Sequence, residues 1–526
     1  MSAGVSPKKY SQFAASSDTT SVLRKHPAVH DAAAFRLSSD RDALVAFVVA
    51  DDSYLDEVLG RNEAASHQVR KWRKTYDLTQ LTKAAAASPF AFNIAGWNSS
   101  YTRQPLPQED MREWIDTTVE RISALTPRDV LEIGCGTGLL LLRLAPGCQR
   151  YAGMDFAPSV LTRLREQLAQ RADLGGKVEL LERSADNFDG FADNSFSTVI
   201  VNSVAQHFPS QAYLDRVMEN AIRVVQPSGH VFIGDQRSLL LLQAQAASVE
   251  AFQATPEVHA AELRDRIDKR IQQEQQLVLS PAYFLSLAQR FPKISRVEIY
   301  PRRGNRDNEM TRFRFDAILW IGPESTPRIE IPFLDPPPQG WNRDNMRRLL
   351  AAGKSEGIGL ARIANSRVAR DLRLLAQLAS ADQQQPLSDL QNELNHAEAE
   401  GIHPEEIIRL AAAAGYKAIL SWASCCPDGS YDAAFVGAGS WAGRAFPAIN
   451  WPRPSRAAYV HHSNAPGQSE IREKLRQELL AHCRVKLRDV AVPTILHLVD
   501  SLPHTGDGGV DFDALLSVTQ TAAGSL

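Results

Sequence analysis

The 526-residue sequence predicts an α/β protein built on a doubly wound, mostly parallel β-sheet. Between residues 130 and 235, strand-like apolar runs alternate with segments whose apolar residues recur at helical spacing. This alternation is typical of a parallel sheet covered by helices on both faces. A glycine-rich segment from Glu132 to Gly138 separates the first strand from the helix after it, and the acidic residue Asp155 ends the next strand.

The individual elements follow from this periodicity. The predicted strands of the sheet are VLEIG (130–134), RYAGMD (150–155), VELLE (178–182), FSTVIVNS (196–203) and HVFIGD (230–235). The predicted helices around them span 108–125, 138–145, 158–171 and 213–225. Two later strands, 294–301 and 312–321, predict an antiparallel hairpin that closes one edge of the sheet.

The flanks carry fewer elements. A helix and a strand are expected within 21–55, with ALVAFVVA (43–50) as a strand, and a charged helix over 468–491 precedes a strand in 492–503. The proline-rich run at 332–341 marks a boundary. We therefore expect an N-terminal part over 1–60, a linker helix over 61–87, the sheet domain over 88–322 and a C-terminal part over 323–526.

Composition excludes several classes of protein. Hydrophobic residues make up 44% of the chain and charged residues 23%, which is enough apolar material for a sizeable core. The formal net charge of −3 argues against a nucleic-acid or acidic membrane partner. The five cysteines lack the spacing of a disulfide framework or a zinc site. Without a signal-peptide core or an apolar stretch of ~20 residues, the chain is expected to be cytoplasmic.

The glycine-rich segment predicts a ligand site. Glycines allow a tight turn and a close approach of the backbone to a ligand, and the helix behind them presents unpaired N–H groups. A dinucleotide site would need a glycine at position 139, where this chain has Leu139. Glycines at 134, 136 and 138 behind an acidic strand residue resemble motif I of S-adenosylmethionine (SAM)-dependent methyltransferases. The resemblance implies a class I methyltransferase, Rossmann-like fold and SAM as cofactor or substrate.

Further residues extend this site. The position of Asp155 suits hydrogen bonds to both ribose hydroxyls, the segment 184–187 follows the third strand where adenine is read, and the segment 202–209 ends the fourth strand at the ligand-binding edge. The expected SAM-binding residues are Trp97, Asn98, Ser99, Tyr101, Glu132, Gly134, Cys135, Gly136, Asp155, Phe156, Ala185, Asp186, Asn202 and Ser203. No spacing of histidine, cysteine and carboxylate residues suggests a metal.

Long segments resemble one particular family. They are similar to the methyltransferase domains that interrupt adenylation domains in nonribosomal peptide synthetases. The matching segments are NIAGWNSSYT (93–102), VLEIGCGTGLLLLRLAP (130–146), VNSVAQHFP (201–209), VFIGDQRSL (231–239) and RGNRDNEMTRFRFD (303–316). The resemblance implies a small-molecule substrate and a synthetase or carrier protein as a possible partner.

The flanks resemble the small C-terminal subdomain of an adenylation domain. HPAVHDAAAF and ALVAFVV are similar to its beginning, and residues 485–516 are similar to its end. The family's last motif ends in a catalytic lysine after an Asn-Gly turn, but this chain has Gly509 in its place. We therefore expect a vestigial α+β subdomain, formed by both flanks, that does not adenylate.

Three functions remain open at this stage. The chain also resembles stand-alone azetidine-2-carboxylate synthases, in which the α-amine of SAM attacks its own γ-carbon and releases 5′-methylthioadenosine. Cyclisation is the preferred hypothesis, because a vestigial flank without substrate-loading machinery suits a small-molecule reaction. The alternatives are N-methylation of a free or carrier-bound amino acid in trans, and a non-catalytic SAM-binding docking module.

Three residues are candidates for the chemistry. Tyr101 is expected beside the methionyl part of SAM, although it could simply pin a helix to the sheet. Asn202 could hydrogen-bond the methionyl amine or carboxylate, or cap a turn. His207 is the best titratable candidate for receiving the amine proton, against the alternative of a satisfied polar residue. Asp235 and Arg237 end the fifth strand at the site, and the simpler alternative for them is a mutual surface ion pair.

Overall fold

The structure is a computed structural model of the whole chain. It describes residues 13–37, 43–58, 69–70, 72–74, 92–323, 328–352, 357–396, 400–437, 448–466 and 469–515. Most of the predicted linker helix over 61–87 lies outside the described residues, as does the expected beginning of the sheet domain at 88–91.

The strands are numbered in chain order. They are β1 (Phe13–Ala15), β2 (Val29–Leu37), β3 (Ala43–Ala50), β4 (Asp129–Ile133), β5 (Arg150–Asp155), β6 (Val178–Glu182), β7 (Phe196–Asn202), β8 (Val225–Arg237), β9 (Ile294–Pro301), β10 (Arg314–Ile321), β11 (Arg328–Ile329), β12 (Phe333–Leu334), β13 (Ile358–Ile363), β14 (Tyr416–Ser421), β15 (Tyr431–Gly437), β16 (Ala448–Ile449) and β17 (Ile495–Val499).

The α-helices are numbered in the same way. They are α1 (Ser17–Arg24), α2 (Asp52–Glu57), α3 (Gln108–Ser123), α4 (Leu141–Leu144), α5 (Pro158–Leu168), α6 (Gln211–Val224), α7 (Leu242–Gln253), α8 (Ala260–Gln272), α9 (Pro281–Arg290), α10 (Glu309–Arg312), α11 (Arg343–Ala351), α12 (Ser366–Ser380), α13 (Leu387–His396), α14 (Pro404–Ala413) and α15 (Ser469–Lys486).

A seven-stranded sheet forms the centre of the larger of two compact units, which spans 68–454. Its strand order is β6-β5-β4-β7-β8-β10-β9. The first five of these strands run parallel, and β10 pairs antiparallel with both β8 and β9. This is the class I methyltransferase topology, so the predicted fold class and the predicted closing hairpin are confirmed.

Alternation along the strands explains why helices cover both faces. Leu131 and Ile133 of β4 face a core that includes residues of α6 and α9, whereas Val130 faces a second core that includes α4 and α5. Successive strand side chains point to opposite faces, so a sheet buried on both sides needs almost continuous apolar strands. All seven residues of β7 are buried, as this requires. The carboxyl ends of β4, β5 and β7 are left as the edge for a ligand.

Residues after the hairpin do not group with the C-terminal flank. The sequence placed 323–526 together, but the described residues up to 454 lie in the larger unit. The reason is a second sheet, of order β12-β13-β15-β14, whose buried side chains join the core of the first. The N–H of Trp422, just after β14, also donates to the Ile299 carbonyl of β9 at 2.9 Å.

The smaller unit combines both ends of the chain, 1–67 with 455–526. Its sheet has the order β1-β2-β3-β17, and β17 of the C-terminal flank lies parallel to β3, with Ile495 beside Val45. Leu23 of α1 and Leu475 of α15 are buried in one of its cores. The small α+β subdomain predicted from the two flanks is therefore present.

Candidate active site

The glycine-rich turn after β4 is folded against the end of β5. The N–H groups of Gly134 and Cys135 donate to the Met154 carbonyl at 2.7 and 2.9 Å. Gly134 has a φ of +71°, and a Cβ there would lie 2.4 Å from the Val204 Cγ2 atom. Only glycine satisfies both conditions, because a side chain disfavours this backbone conformation and the space is filled.

Asp155 is held rigidly at the end of β5. Its Oδ2 atom accepts from the Gly136 N–H at 3.0 Å, and its Oδ1 atom accepts from the Ala157 N–H at 2.9 Å. The side chain is buried and belongs to the wall of the large cavity described below. The carboxylate is thus fixed relative to the glycine turn, where it can accept further hydrogen bonds from a ligand.

Glu132 is a second buried acid on the same wall. Its Oε2 atom accepts from the Tyr151 hydroxyl at 2.8 Å, and its side chain lies almost completely out of solvent. Burial, with a smaller contribution from the negative charge of Asp155, raises the pKa of Glu132 to about 8. Two neighbouring buried carboxyl groups favour a cation, and SAM carries a sulfonium and an ammonium. The residues present therefore fit SAM.

A cavity of about 990 Å³ opens at this edge of the sheet. The structure brings most of the predicted site residues together on its wall. Those that line it are Trp97, Asn98, Glu132, Gly134, Cys135, Gly136, Asp155, Phe156, Ala185, Asn202, Ser203 and His207. Ser99, Tyr101 and Asp186 are not among the lining residues, and each has a local structural contact instead.

Tyr101 makes contacts with α7 and α10. Its hydroxyl donates to the Ser248 Oγ atom of α7 at 3.1 Å and accepts from Arg312 at 3.3 Å. Its ring packs edge-on against Phe252. Burial raises the pKa of Tyr101, which keeps the hydroxyl protonated. Tyr101 therefore ties the segment that contains Trp97 to α7, and it is not among the residues that line the cavity.

Two other predicted ligands also serve the fold. The Ser99 Oγ atom accepts from the Tyr101 N–H at 3.1 Å, as in a turn capped by a serine side chain. Asp186 accepts from the Tyr213 hydroxyl at 2.8 Å, and Tyr213 itself lines the cavity. The structure therefore places Asp186 behind the lining residues.

His207 lines the cavity but is unsuited to receive a proton. Its ring packs edge-on against Trp72, with centroids 4.5 Å apart. Burial, and then the positive charges of Arg314 and Arg237, lower the pKa of His207 to about 4. A group with this pKa is a weak base near pH 7, which disfavours the predicted role as proton acceptor and favours a neutral hydrogen-bonding group.

Asp235 is a buried residue whose partners the sequence did not reveal. Its Oδ2 atom accepts from the Ser203 hydroxyl at 2.7 Å and from Arg314 Nη1 at 2.6 Å. Arg237 is also buried and pairs instead with Glu274, at 2.8 Å. The alternative of a mutual surface ion pair is therefore wrong, because Asp235 and Arg237 are both buried and each pairs with a different residue.

The wall opposite the glycine turn comes from α7, α8 and the segment after them. Gln245 and Glu250 of α7 and Arg270 of α8 line the cavity, and Arg270 Nε donates to Glu250 at 2.5 Å. These helices carry no recognisable motif, so their place at the site could not be predicted from the sequence. Only the packing of α7 against α8 and α12 brings them there.

The described residues also limit other kinds of site. Within the ranges given above, no helix is long and apolar enough to cross a membrane. Among the same residues, no group of three or more histidine, cysteine, aspartate or glutamate side chains could hold a metal ion.

The strand order, the glycine turn and the acid that ends β5 together define a class I methyltransferase domain of the SAM-dependent kind. A sequence family described as "Methyltransferase domain" matches residues 131–233, which cover β4 through most of β8. The match includes the glycine turn, Asp155 and the Asn202–His207 segment.

Relatives of the whole chain are nonribosomal peptide synthetases. The chain is 37% identical over 516 residues to chondramide synthase of Chondromyces crocatus, which covers 94% of this chain and 13% of that protein. It is 27% identical over 533 residues to cyclosporin synthetase of Tolypocladium inflatum, covering 95% of this chain and 3% of that protein. The chain therefore spans a small part of the length of the relatives it matches.

Solved structures give a weaker likeness. The N-methyltransferase NodS of Bradyrhizobium japonicum in complex with S-adenosylhomocysteine is 16% identical, with a TM-score of 0.28, and covers 48% of this chain and 98% of that one. A likeness at this level carries no argument about function.

Proposed function

We propose that this chain is a SAM-dependent N-methyltransferase of nonribosomal peptide biosynthesis that acts on the amine of a free or carrier-bound amino acid. The single observation that carries this choice is the size of the cavity. Ligand and cofactor pockets in proteins span roughly 300–1,000 Å³, and this cavity of about 990 Å³ lies at the upper end of that range. From this size we infer that a small second reactant fits beside SAM, which methyl transfer needs and cyclisation does not.

The chain's contribution to this reaction is positioning and control of charge. The amine nitrogen forms a bond to the methyl carbon as the carbon–sulfur bond breaks, and the amine loses a proton to solvent. Glu132 and Asp155 would hold the cationic donor, and the desolvated wall at His207 favours the neutral amine that can attack. Asn202 and Ser203 also line the cavity.

Cyclisation of SAM to azetidine-2-carboxylate is the second candidate. It too needs a neutral amine, and the wall that keeps His207 uncharged supports that requirement. The sequence alone favoured this reaction, but the volume of the cavity favours methyl transfer. The non-catalytic docking module remains the third alternative.

We also propose that the smaller unit is an adenylation-type remnant that serves as a scaffold. The pairing of β17 with β3 joins the two flanks into one sheet, as expected for a single subdomain interrupted by an insertion. Gly509, in place of the family's lysine, supports a role other than adenylation.

The deciding experiment compares products with and without an acceptor. The protein is incubated with SAM alone, and with SAM plus amino acids or their thioesters, and the adenosine product is identified by mass spectrometry. We expect S-adenosylhomocysteine only when an acceptor is added. Enzyme-dependent 5′-methylthioadenosine from SAM alone would establish cyclisation instead. If neither incubation gives a product, the non-catalytic docking module becomes the favoured function.

Two aspartate variants serve as controls for that experiment. Asp155→Ala removes a carboxylate from the cavity wall, whereas Asp193→Ala removes an exposed carboxylate that pairs with Arg223. Product formation is expected to be lost in the first variant and kept in the second, with circular dichroism confirming that both fold.

A further inference from the structure

Unpartnered polar atoms are concentrated on one wall of the cavity. Among the described residues, the buried side-chain atoms without a hydrogen-bond partner include Gln206 Oε1, His207 Nδ1, Arg237 Nε and Arg314 Nε. All four residues line the cavity. A buried polar atom without a partner is destabilising, so four such atoms at one cavity indicate a ligand that satisfies them.

The two arginines form an unusual pair within the sheet. Arg237 of β8 and Arg314 of β10 are directly opposite each other in the antiparallel ladder. Both are about nine-tenths buried. Like charges directly opposite on neighbouring strands destabilise a sheet, so this arrangement lowers stability unless something compensates for it.

Separate carboxylates compensate the two positive charges. Arg237 pairs with Glu274 at 2.8 Å through Nη1, and Arg314 pairs with Asp235 at 2.6 Å, also through Nη1. These contacts use the ends of the guanidinium groups and leave each Nε–H without a partner. The wall therefore offers two hydrogen-bond donors that carry no surplus positive charge.

The neighbouring side chains offer acceptors. Gln206 donates through Nε2 to the Ser203 hydroxyl at 3.1 Å, which leaves its carbonyl oxygen for another donor. His207 is one residue further along, and its Nδ1 atom is buried and without a partner among the described residues. Amide and imidazole acceptors side by side suit the two N–H groups of a neutral primary amine.

Together, these groups match the two ends of an α-aminoacyl group. We propose that Gln206, His207, Arg237 and Arg314 form the acceptor subsite, in which Gln206 and His207 hold the amine and the two Nε–H groups hold the acyl oxygen. This inference rests on the proposed function and names its substrate class. The acceptor is an amino acid whose carboxyl group is neutralised as an ester, thioester or amide.

The charge of the wall distinguishes this acceptor from a free amino acid. Glu274 and Asp235 already neutralise the two arginines, so a free carboxylate would bring an uncompensated negative charge into a buried site. A neutral acyl oxygen accepts the same two hydrogen bonds without that cost. The competing occupant is the carboxylate of SAM itself, and the test separates the two.

The test uses Arg237→Lys and Arg314→Lys. Lysine places a CH₂ group where arginine has Nε–H and keeps a positive charge for Glu274 or Asp235. The matched control is Arg290→Lys, since Arg290 also pairs with an aspartate, Asp215, at 2.6 Å but does not line the cavity. Thermal unfolding shows whether each variant folds.

Binding is measured on the protein saturated with S-adenosylhomocysteine. The probes are the primary amides of the twenty amino acids, the free amino acids, and the corresponding amines without an acyl group, observed by ligand-detected NMR. We expect amides to bind best. Each cavity variant should lose about ten- to hundredfold in amide affinity, the equivalent of one hydrogen bond to a charged group. Arg290→Lys should match the wild type.

Two results would overturn the inference. One is unchanged amide affinity in both cavity variants. The other is an equal loss of affinity for S-adenosylhomocysteine, measured by calorimetry, which would assign the wall to the amino-acid end of the donor. Failure of the proposed function is separate, because it would show as absence of S-adenosylhomocysteine formation from SAM even where amides bind.

Discussion

The Ser203 hydroxyl donates to the Asp235 carboxylate at 2.7 Å, and both residues have a left-handed backbone, with φ of 58° and 62°. They follow Asn202 and Gly234, which are partners across the parallel strands β7 and β8. Non-glycine residues in this conformation cost of order 1–3 kcal/mol each and cluster at functional sites. The strained backbone of Ser203 and Asp235 and the hydrogen bond between them therefore both fix the position of this edge of the cavity.

Replacing Ser203 separates these two contributions. Ser203→Ala and Ser203→Gly both remove the hydroxyl, but only glycine relieves the left-handed backbone. We expect Ser203→Gly to be more stable than Ser203→Ala by about 1 kcal/mol in urea unfolding. Ser228→Ala and Ser228→Gly are the controls, because Ser228 is an exposed serine with a φ of 68°. The difference between these two variants in free energy of unfolding measures the backbone effect alone. Activity should fall in both Ser203 variants, and full activity in both would show that the hydrogen bond to Asp235 is dispensable.

Gly134→Ala is expected to abolish SAM binding. The new Cβ would lie 2.4 Å from Val204 Cγ2, so the glycine turn and the segment after β7 would have to separate. Gly176→Ala is the matched control, because Gly176 has a similar φ of +76° but open space around its Cβ position.

Both glycine variants carry the backbone cost, and only Gly134→Ala carries the clash. Calorimetry with SAM should therefore show binding by Gly176→Ala and none by Gly134→Ala. Equal affinities would mean that Val204 can move without cost.

The sequence predicted the sheet well for physical reasons. Strands such as Arg150–Asp155 match their predicted bounds, because buried parallel strands are continuous apolar runs between polar turns. The glycine turn and Asp155 were also found, since their chemistry is local. The partners of Asp235 and Arg237 were not predictable, because the register of β8 against β10 and the packing of the segment after α8 decide them. The contacts of Tyr101 with Ser248 and Arg312 were likewise not predictable, because these residues are distant in the sequence.

Glu132 makes SAM binding depend on pH. The pKa of about 8 in the folded protein lies above the ordinary 4.5, so the free protein holds a proton there at neutral pH. A cationic ligand favours the carboxylate, and binding must release that proton below pH 8. The affinity for SAM is therefore expected to rise as pH increases from 6.5 to 8.5, and calorimetry in buffers of different ionisation enthalpy should detect the released proton.

Glu132→Gln should remove this dependence and weaken binding about tenfold. The free energy of unfolding of this variant should also lose the part of its pH dependence that comes from Glu132. The raised pKa of Glu132 stabilises the protein fully below pH 4.5, and that contribution declines as pH rises through 8. Glu298→Gln is the control, since Glu298 is a buried acid that accepts from the Tyr300 hydroxyl at 2.7 Å away from the cavity lining. A pH-dependent SAM affinity that persists in Glu132→Gln would point to another group.

His207 is expected to stay neutral across the physiological range. Its pKa of about 4 lies below the ordinary 6.5, so the unfolded chain takes up a proton between these values while the folded protein does not. Stability should therefore fall as pH decreases from 6.5 to 4, and part of that fall should disappear in His207→Asn. His230, whose pKa burial also lowers to about 4, lies outside the cavity lining and provides the comparison.

NMR of histidine labelled with ¹³C at Cε1 measures this directly. Neither the His207 nor the His230 resonance should titrate between pH 8 and 5, and only that of His207 should shift when S-adenosylhomocysteine binds. Because a neutral imidazole with so low a pKa is a poor proton acceptor, the acid limb of the methyl-transfer rate should not follow His207. A His207 midpoint near 6.5 would instead restore it as the base.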